Sequence, residues 1–365
     1  LKPETNISKE IGAEVRLLDG RLTADVTYYD KYTRDQIVES ELSYLSNYQR
    51  VIINSGKISN KGWEISVSGV PVKVKNFEWK TIFNWSKNNS MVESLPEGID
   101  KIQIGSGVYN VKSYAEVGKP YGAIYAKTFK RDAEGYILCQ LDGSPKEGQD
   151  YEYLGCVQAD WRGGWNNVFR LGNFSFSVMF DFQKGGKFFS QTSIQSSVDG
   201  QSVKSLEGRD ADFFSRKILG ESDEERYGFM RPQNANTPTA NGQIYPDWGR
   251  PKGVVLPNCR YDEDVEGLAG QQVLGYCTPE RYWMHYTSRD ISRFIYDASY
   301  VKLREITVSY DLPKKWLRKT PFQTFRVAAV GRNIATLFAN TPHGLDPQAT
   351  STTGNPSLEA LLPKR

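Results

Sequence analysis

The amino-acid sequence predicts an all-β chain that forms part of a transmembrane antiparallel β-barrel. The first observation is that apolar and polar side chains alternate with period two along many short segments. The second is that the links between these segments are alternately short and long. The third is that aromatic rings lie near the ends of the apolar faces, opposite faces rich in charged and amide side chains. Together these patterns indicate strands that separate lipid from a wet interior.

Eight strands are readable from the alternation. The clearest begins at Phe174, where Phe and Val residues alternate with Ser, Asp and Gln, and another lies between Trp161 and Arg170. The apolar positions of the other six strands are Ile11, Ala13, Val15 and Leu17; Leu22, Ala24, Val26 and Tyr28; Trp63, Ile65 and Val67; Phe77, Trp79, Phe83 and Trp85; Ile306, Val308 and Tyr310; and Phe325, Val327 and Ala329. No long segment with the 3.6-residue period of a helix competes with them.

The links between the strands are more informative than the strands themselves. Short turns are predicted at Asp19-Gly20, Pro71–Asn76, Leu171–Asn173 and Pro313–Pro321. Long loops are predicted over 35–62, 88–160 and 185–298. Because short and long links alternate strictly, all turns lie at one end of the sheet and all loops at the other. This asymmetry is typical of outer-membrane barrels, which have short periplasmic turns and long extracellular loops.

The alternation does not by itself say which face is outside, because a soluble barrel shows the same period with its apolar face inside. The polar face carries charged and amide side chains such as Glu78, Lys80, Asp181 and Gln183. A large water-filled or plugged interior accommodates such groups, whereas a small closed core does not. The pattern therefore favours a membrane barrel.

Composition excludes several classes of function. The 365 residues include 46 Lys and Arg and 43 Asp and Glu, for a net charge of +3, and the basic residues are dispersed. Binding to nucleic-acid phosphates needs a clustered basic face, so no nucleic-acid partner is expected. No apolar run approaches the roughly 18 residues that a transmembrane helix needs. A closed barrel is the remaining way to cross a bilayer.

The four cysteines fall into two neighbouring pairs, Cys139 with Cys156 and Cys259 with Cys277. We predict disulfides within each pair, although four cysteines allow three connectivities and free thiols remain an alternative. A zinc site is disfavoured because the spacing and the histidine partners of such a site are lacking.

Four stretches carry a more specific signal, namely residues 1–37, 171–190 (LGNFSFSVMFDFQKGGKFFS), 294–317 (FIYDASYVKLREITVSYDLPKKWL) and 325–338 (FRVAAVGRNIATLF). Their order and spacing resemble the barrel of SusC/RagA-type TonB-dependent transporters. The resemblance implies that residues 1–365 are the C-terminal portion of a 22-stranded barrel, lacking its plug domain and closing strand. It carries over no calcium site. Since the chain opens at Leu1 without an initiator Met, we expect a processed product or a fragment.

The resemblance also implies a function. Family members are active importers in the outer membrane of Gram-negative bacteria, where the multi-pass barrel is surrounded by lipid. They pair with a SusD-like surface lipoprotein that covers the barrel mouth, and TonB supplies energy through the plug domain. The cargo is an oligosaccharide or a peptide, and two transporter-lid pairs can associate as a dimer. No cofactor and no metal are implied.

Candidate contacts with ligand or lid are the aromatic residues of the third long loop, because sugar rings and peptide side chains both stack on aromatic faces. These residues are Tyr245, Trp248, Tyr282, Trp283 and Tyr286. The alternative is that the rings pack within the loop itself. The nearby run Asp262-Glu263-Asp264, together with Glu266, could bind a cation, but a solvated surface is the favoured interpretation.

No catalytic motif is present, and the two histidines, His285 and His343, are far apart in sequence. The chain is therefore not expected to be an enzyme. The main alternative to an importer is a secreted or surface β-rich protein that binds or hydrolyses glycans, which would share the aromatics and the disulfides. A passive porin is a third and less favoured possibility.

Overall fold

A computed structural model gives the fold and describes residues 1–41, 50–106, 108–206, 254–277, 282–342 and 345–348. Its strands are β1 (Thr5–Leu17), β2 (Leu22–Glu41), β3 (Arg50–Val74), β4 (Phe77–Ser94), β5 (Lys101–Ser106), β6 (Lys112–Glu116), β7 (Ala123–Ala126), β8 (Ile137–Cys139), β9 (Glu152–Cys156), β10 (Trp161–Leu171), β11 (Phe174–Lys184), β12 (Lys187–Phe189), β13 (Val254–Tyr261), β14 (Gln272–Cys277), β15 (Ile295–Asp297), β16 (Tyr300–Asp311) and β17 (Arg326–Ala339). Helices are short: α1 (Gln191–Val198), α2 (Lys314–Leu317), a π-helical turn (Tyr282–Tyr286) and 3-10 turns at Val108–Asn110, Val203–Leu206, Thr287–Arg289 and Ile291–Phe294. None of the described helices could span a membrane.

Eight of these strands form one antiparallel sheet, which we call the wall. Its strand order is β1-β2-β3-β4-β10-β11-β16-β17. Each strand lies beside its neighbours in sequence among the wall strands, so the chain runs up and down without a crossover. These are the eight strands that the alternation predicts, and backbone hydrogen bonds join them into one continuous sheet.

The register of the wall brings the apolar positions of neighbouring strands onto one face. Tyr28 lies opposite Trp63, and Val26 lies opposite Ile65. On the next strands Phe83 lies opposite Trp165, which in turn lies opposite Phe180. Directly opposed residues share a face of a sheet. One face is therefore a continuous apolar surface, the apolar face, and many of its large side chains are exposed.

Aromatic rings on the apolar face are gathered in two bands. Near the short turns, Trp79 and Phe169 have ring centroids 5.9 Å apart, and Phe174 and Tyr310 are 4.5 Å apart. Towards the other ends of the strands, pairs such as Tyr28 and Trp63 (5.0 Å), Phe83 and Phe182 (6.0 Å) and Trp165 and Phe180 (5.9 Å) form the second band. Between the bands lie the aliphatic residues Val178 and Ile306 and the polar pair Thr81 and Asn167. Two aromatic bands of this kind are typical of the girdles of membrane barrels.

The short turns agree with the sequence patterns, whereas the first predicted loop is wrong. At the first turn, the Arg21 N–H donates to the Leu18 carbonyl at 3.0 Å, and Gly20 has φ +79°. In contrast, β2 and β3 pair continuously as far as Glu41 and Arg50, so most of 35–62 is strand. The alternation is lost there because the hairpin extends past the apolar face, and consecutive apolar residues such as Ile52 and Ile53 break the period of two.

The other two long connections fold into a packed unit, the loop domain. It contains a four-stranded sheet of order β5-β6-β7-β9, a three-stranded sheet of order β14-β13-β8 and the pair β12-β15. One apolar cluster lies between β8, β13 and the π-helical turn, and includes Phe129, Val273 and Trp283. A second joins β7 to α1 through Ile124 and Ile194. The predicted loops 88–160 and 185–298 are thus ordered structure over their described parts.

A buried carboxylate ties the three-stranded sheet to its neighbouring hairpin. Asp262 accepts hydrogen bonds from Lys130 Nζ at 2.9 Å and from Lys146 Nζ at 2.7 Å, while its backbone N–H donates to the Cys139 carbonyl. Burial raises the pKa of this carboxyl, but the two ammonium groups and the Glu263 N–H outweigh burial and lower the pKa to about 2. The expectation that the run 262–264 is a solvated surface is therefore wrong for Asp262, which is buried.

Replacing Asp262 with Asn should loosen this part of the loop domain. The ammonium groups of Lys130 and Lys146 would lose their shared carboxylate, and we expect the local free energy of unfolding to fall by about 1–3 kcal/mol. Hydrogen–deuterium exchange of the β13 amides measures the change. Because the folded-state pKa is depressed, the stabilisation in the wild type is complete above about pH 4 and is lost as the pH falls towards 2.

Asp264→Asn is the matched control, because Asp264 also pairs with Lys146 but its side chain is 68% exposed. Exposed pairs contribute little, so exchange should hardly change. Equal protection of β13 in Asp262→Asn and Asp264→Asn would contradict the role assigned to Asp262.

Candidate functional site

The polar face of the wall carries a cleft of about 490 Å³. Its polar side chains come from five adjacent strands and are Asp25, Glu64, Ser66, Asn84, Ser86, Arg162 and Asp181. Asp25 lies opposite Ser66, which lies opposite Asn84, and Gly164 lies between Asn84 and Asp181. The absence of a side chain at Gly164 opens the cleft at that point. Every second residue of these strands is directed to this face, which explains how segments distant in sequence line one surface.

Hydrogen bonds between strands hold the side chains of the cleft. Ser66 Oγ donates to Asn84 Oδ1 at 2.8 Å, and Arg162 Nε donates to Gln183 Oε1 at 3.0 Å. Carboxylates offer acceptors, whereas guanidinium and amide groups offer donors. The cleft is therefore suited to hydrogen-bond hydroxyl and amide groups of a ligand.

A bulge in β16 shapes the polar face beside the cleft. Met179 pairs with Glu305 and Phe180 with Leu303, so Arg304 is the extra residue and its guanidinium reaches Asp181. This ion pair fixes the orientation of one carboxylate of the cleft lining.

The segment 345–348 covers the start of β16 on the same face. Gln348 Nε2 donates to the Tyr300 hydroxyl at 2.6 Å, and Gln348 Oε1 accepts from Arg304 Nη2 at 2.7 Å and from Lys302 Nζ at 2.9 Å. Lys302 also pairs with Asp346 and is buried. The segment therefore removes Tyr300 and Lys302 from solvent, and the open part of the polar face lies nearer to β3, β4 and β10.

A second cleft, of about 320 Å³, lies where the loop domain meets the wall. Among its lining residues are Asn88, Tyr153, Cys156, Asp160, Lys187 and Asp297. Two glycines after β11 make the narrow corner possible, because a Cβ at Gly185 would lie 2.4 Å from Asp160 Oδ2, and Gly186 has φ +83°. Only glycine adopts this backbone without strain.

Two ionisable groups of the second cleft, Asp297 and Cys156, have shifted pKa values. Burial raises the pKa of Asp297, but hydrogen bonds from Ser299 outweigh it and hold the pKa below its usual range. Lys187 Nζ lies 3.6 Å from its carboxylate. Burial raises the pKa of the Cys156 thiol, so it stays protonated and is a poor nucleophile. The cleft is polar and contains no activated nucleophile.

The predicted aromatic contacts do not form a binding surface in the described part of the chain. Tyr282, Trp283 and Tyr286 are all buried in the apolar cluster of the loop domain, with the rings of Tyr282 and Trp283 5.1 Å apart at 88°. Their amphipathic spacing in one turn packs them together against β13 and β14, which corrects the expectation that they contact a ligand. Tyr245 and Trp248 lie outside the described residues.

The cysteines are placed in different parts of the loop domain. Cys139 is buried in β8, whereas Cys156 is a free thiol at the end of β9 in another sheet. The bridge between them is therefore not formed in this structure. Cys259 lies opposite Val273, and Cys277 lies opposite Val254, so these two occupy opposite ends of the β13-β14 pairing. Disulfide formation stays a prediction.

Apart from Cys156, sequence reasoning did not single out the residues that line the two clefts. Alternation assigned Glu64, Asn84 and Asp181 to the polar face, but it did not say that they converge. Their convergence depends on strand register, which a single sequence does not reveal. Within the described residues, no group of three or more His, Cys, Asp or Glu side chains could hold a metal ion.

Comparison with known proteins agrees with this architecture. Residues 1–334 match the family model described as TonB dependent receptor-like, beta-barrel. TonB-dependent receptor P3 of Formosa agariphila is 25% identical over 371 residues, which cover 96% of this chain and 31% of that protein. TonB-dependent receptor SusC of Bacteroides thetaiotaomicron is 27% identical over 101 residues, 27% of this chain and 10% of SusC.

Among solved structures, the RagAB peptide transporter matches with a TM-score of 0.57 and 16% identity, over 94% of this chain and 33% of that chain. At this identity the likeness concerns the fold. The chain thus spans about a third or less of the length of the proteins it matches. These relatives are receptors and transporters, not enzymes. The chain belongs to the TonB-dependent receptor family, in which it forms part of the β-barrel domain.

Proposed function

We propose that this chain forms part of the barrel wall and the outer loops of an active nutrient importer of the SusC type. The importer would lie in the outer membrane of a Gram-negative bacterium. The single observation that carries the proposal is the wall, in which an exposed apolar face with two aromatic bands lies behind a polar face that bears the clefts. A soluble protein would bury such an apolar face, whereas a barrel presents it to lipid.

The two faces assign the roles of the wall. The apolar face contacts lipid, and the polar face lines the lumen. A transmembrane strand needs about 9–11 residues, whereas β2 has 20 and β3 has 25. These strands therefore continue beyond the bilayer on the side of the loop domain, which we take to be the extracellular side. The clefts would then lie along the route of a substrate that enters from outside.

The partners follow from the family. A SusD-like surface lipoprotein would cover the mouth formed by the loop domain, and the likeness to SusC and RagAB supports such a lid. TonB would supply energy through the plug domain of the complete receptor, and two transporter-lid pairs could form a dimer. The cargo would be an oligosaccharide or a peptide. Of the predicted aromatic contacts, Tyr245 and Trp248 are retained in this proposal.

The membrane placement can be tested with arginine substitutions at adjacent positions in the middle of β11. Val178 lies on the apolar face and Ser177 on the polar face. We expect Val178→Arg to destabilise the barrel by about 2–4 kcal/mol, because it places a charge near the bilayer centre. Ser177→Arg should be tolerated, since its side chain would enter a wet lumen. The measurement is the fraction of receptor that resists unfolding by urea, read as heat-modifiable migration on gels.

Detergent dependence provides the second measurement for the same pair. Wild-type receptor and Ser177→Arg should be extracted from membranes only with detergent. A receptor that is soluble and monomeric without detergent, or equal sensitivity of the two substituted positions, would contradict the lipid-facing assignment and favour a secreted glycan-binding protein.

Active import with a lid predicts both a partner and an energy requirement. Tagged receptor extracted in mild detergent should bring down one surface lipoprotein in a near-equimolar amount. Uptake of the cargo by cells should stop when the proton-motive force is dissipated, because TonB transmits that force. Uptake that continues in de-energised cells would identify a passive porin instead.

A further inference from the structure

The four-stranded sheet of the loop domain has one face that packs inside the protein and one that is partly exposed, with Ala123 and Tyr125 buried at its centre. Ile102, Ala115, Ile124 and Ala126 are buried on the inner face. The outer face carries side chains from all four strands and from the turn after β6, which we call the tyrosine-lysine face: Tyr114, Tyr125, Tyr153, Lys101, Lys112 and, in the turn, Lys119. The register supports this assignment, because Lys112 lies opposite Tyr125, which lies opposite Tyr153.

The rings form a row across three adjacent strands. Tyr114 and Tyr125 have centroids 5.1 Å apart in an edge arrangement, and Tyr125 and Tyr153 are 5.6 Å apart. Tyr153 is 41% exposed and ends the row. Aromatic pairs in these geometries are mutually stabilised. Tyr125 is buried at the centre of the row, where only 4% of its surface is exposed, so a ligand meets Tyr153 and the partly exposed Tyr114.

Lysine ammonium groups surround this row. Lys101 Nζ lies 5.2 Å from the centroid of Tyr114 and 5.3 Å from that of Tyr125, and Lys119 Nζ lies 4.5 Å from that of Tyr153. Lys112 Nζ lies 4.4 Å from the ring of Tyr151, at the edge of the sheet. These cation-π contacts hold three flexible lysine side chains in place beside the rings.

The face has a surplus of positive charge. Glu116 is its one carboxylate among the described residues, and it is held by Lys119 Nζ at 3.2 Å and by the Tyr125 hydroxyl. The hydrogen bonds with Tyr125 and Glu116 raise the pKa of Lys119, which stays charged. Lys101 lies opposite Glu116 and its charge also lowers the pKa of that carboxyl, so the three ammonium groups of Lys101, Lys112 and Lys119 surround one carboxylate. Two cations are thus available to an anionic ligand.

The orientation of the face relates it to the import route. The inner side of the sheet packs through Ala115 against Ile58 and Val92. By alternation Ile58 shares its side of β3 with Asn60 and Glu64, so it belongs to the polar face of the wall. The tyrosine-lysine face therefore turns away from the wall towards the lumen side. The second cleft reaches it at Tyr153.

We propose that the tyrosine-lysine face binds an acidic oligosaccharide, one whose sugar units carry carboxylate or sulfate groups. This inference rests on the proposed import function and specifies its cargo. The C–H faces of sugar rings stack on the exposed edge of the tyrosine row. The anionic groups bind Lys101 and Lys112. The carboxylates of Asp160 and Asp297 keep the anions on the face and out of the neighbouring cleft.

An acidic peptide fits the face less well. Extended peptides commonly bind by adding a strand to a free sheet edge. The edges of this sheet are the strands β5 and β9, which lie against β2 and β12. The surface offers side chains, not free backbone groups. The face can instead bind a ligand that stacks on its rings and places anionic groups beside its lysines.

The test is binding to the purified receptor-lid complex, measured by titration calorimetry at low and high salt. The probes are a hexamer of galacturonic acid, its neutral methyl ester, a sulfated neutral hexamer, the unmodified neutral hexamer and a hexaglutamate peptide. We expect one or both acidic hexamers to bind, and the neutral forms to bind more weakly. Combined Lys101→Gln and Lys112→Gln substitutions should weaken binding about tenfold, and salt should weaken wild-type binding similarly.

Matched variants separate recognition from folding. The charge-preserving pair Lys101→Arg and Lys112→Arg should retain binding. Lys204→Gln is the control, because Lys204 makes the same kind of contact with the ring of Tyr296, at 5.0 Å, away from the face. Tyr153→Leu should weaken binding of the acidic hexamers while leaving the salt dependence unchanged.

Three results would overturn the inference. These are equal binding of acidic and neutral hexamers, lysine-dependent binding of hexaglutamate that matches or exceeds that of the acidic hexamers, and binding that is unaffected by the two glutamine substitutions. Failure of import is a separate outcome: a complex that binds acidic hexamers but shows no energised uptake would contradict the proposed importer alone. A complex that imports neutral cargo and ignores acidic hexamers would contradict this inference alone.

Discussion

The rest of the structure depends on the register of the backbone hydrogen bonds in the wall. Because side chains alternate with period two, a slip of one residue would exchange the lipid-facing and lumen-facing sets of a whole strand. The wall keeps its register across eight strands and confines the irregularities to a few bulges. At one of these bulges Arg304 has no residue opposite it in β11, and its guanidinium forms an ion pair with Asp181. In a medium without water, every backbone N–H and C=O group has to be hydrogen-bonded within the sheet. The same hydrogen-bond register also decides which side chains lie on each face.

The loop domain is positioned by the same sheet. Strands β3 and β4 extend past the apolar face, and there their polar-face positions become apolar at Ile58 and Val92. These two residues form a small core with Ala115, which anchors the four-stranded sheet to the lumen side of the wall. The buried carboxylate of Asp262 and the apolar cluster around Trp283 then hold the remaining parts of the long connections together. The proposed binding face thus lies on a sheet whose orientation is set by its packing against the wall.

Sequence patterns predicted the wall well and the loop domain poorly. The eight alternating segments and the short turns all lie where the periodicity puts them, since lipid and lumen impose opposite demands on neighbouring residues. The loop domain is a mixture of short strands and turns, and most of its strands have only three to six residues, which are too few to show a clear period. Tyr282, Trp283 and Tyr286 illustrate the consequence: a cluster of aromatics in a long loop reads equally as a binding surface or as a core, and the structure buries them.

By itself, the sequence determined the class of the protein: an antiparallel sheet with one apolar face, one polar face, all turns at one end and all long connections at the other. It did so because the side chains on each face of a strand match the medium that the face contacts, and this match is visible as alternation in the sequence. Only the tertiary structure decided which residues meet. Three sites join segments that are distant in the chain. They are the cleft between Asp25 and Asp181, the ion pairs of Lys130 and Lys146 with Asp262, and the row of Tyr114, Tyr125 and Tyr153. Such meetings depend on register and on packing between sheets, which no local pattern encodes.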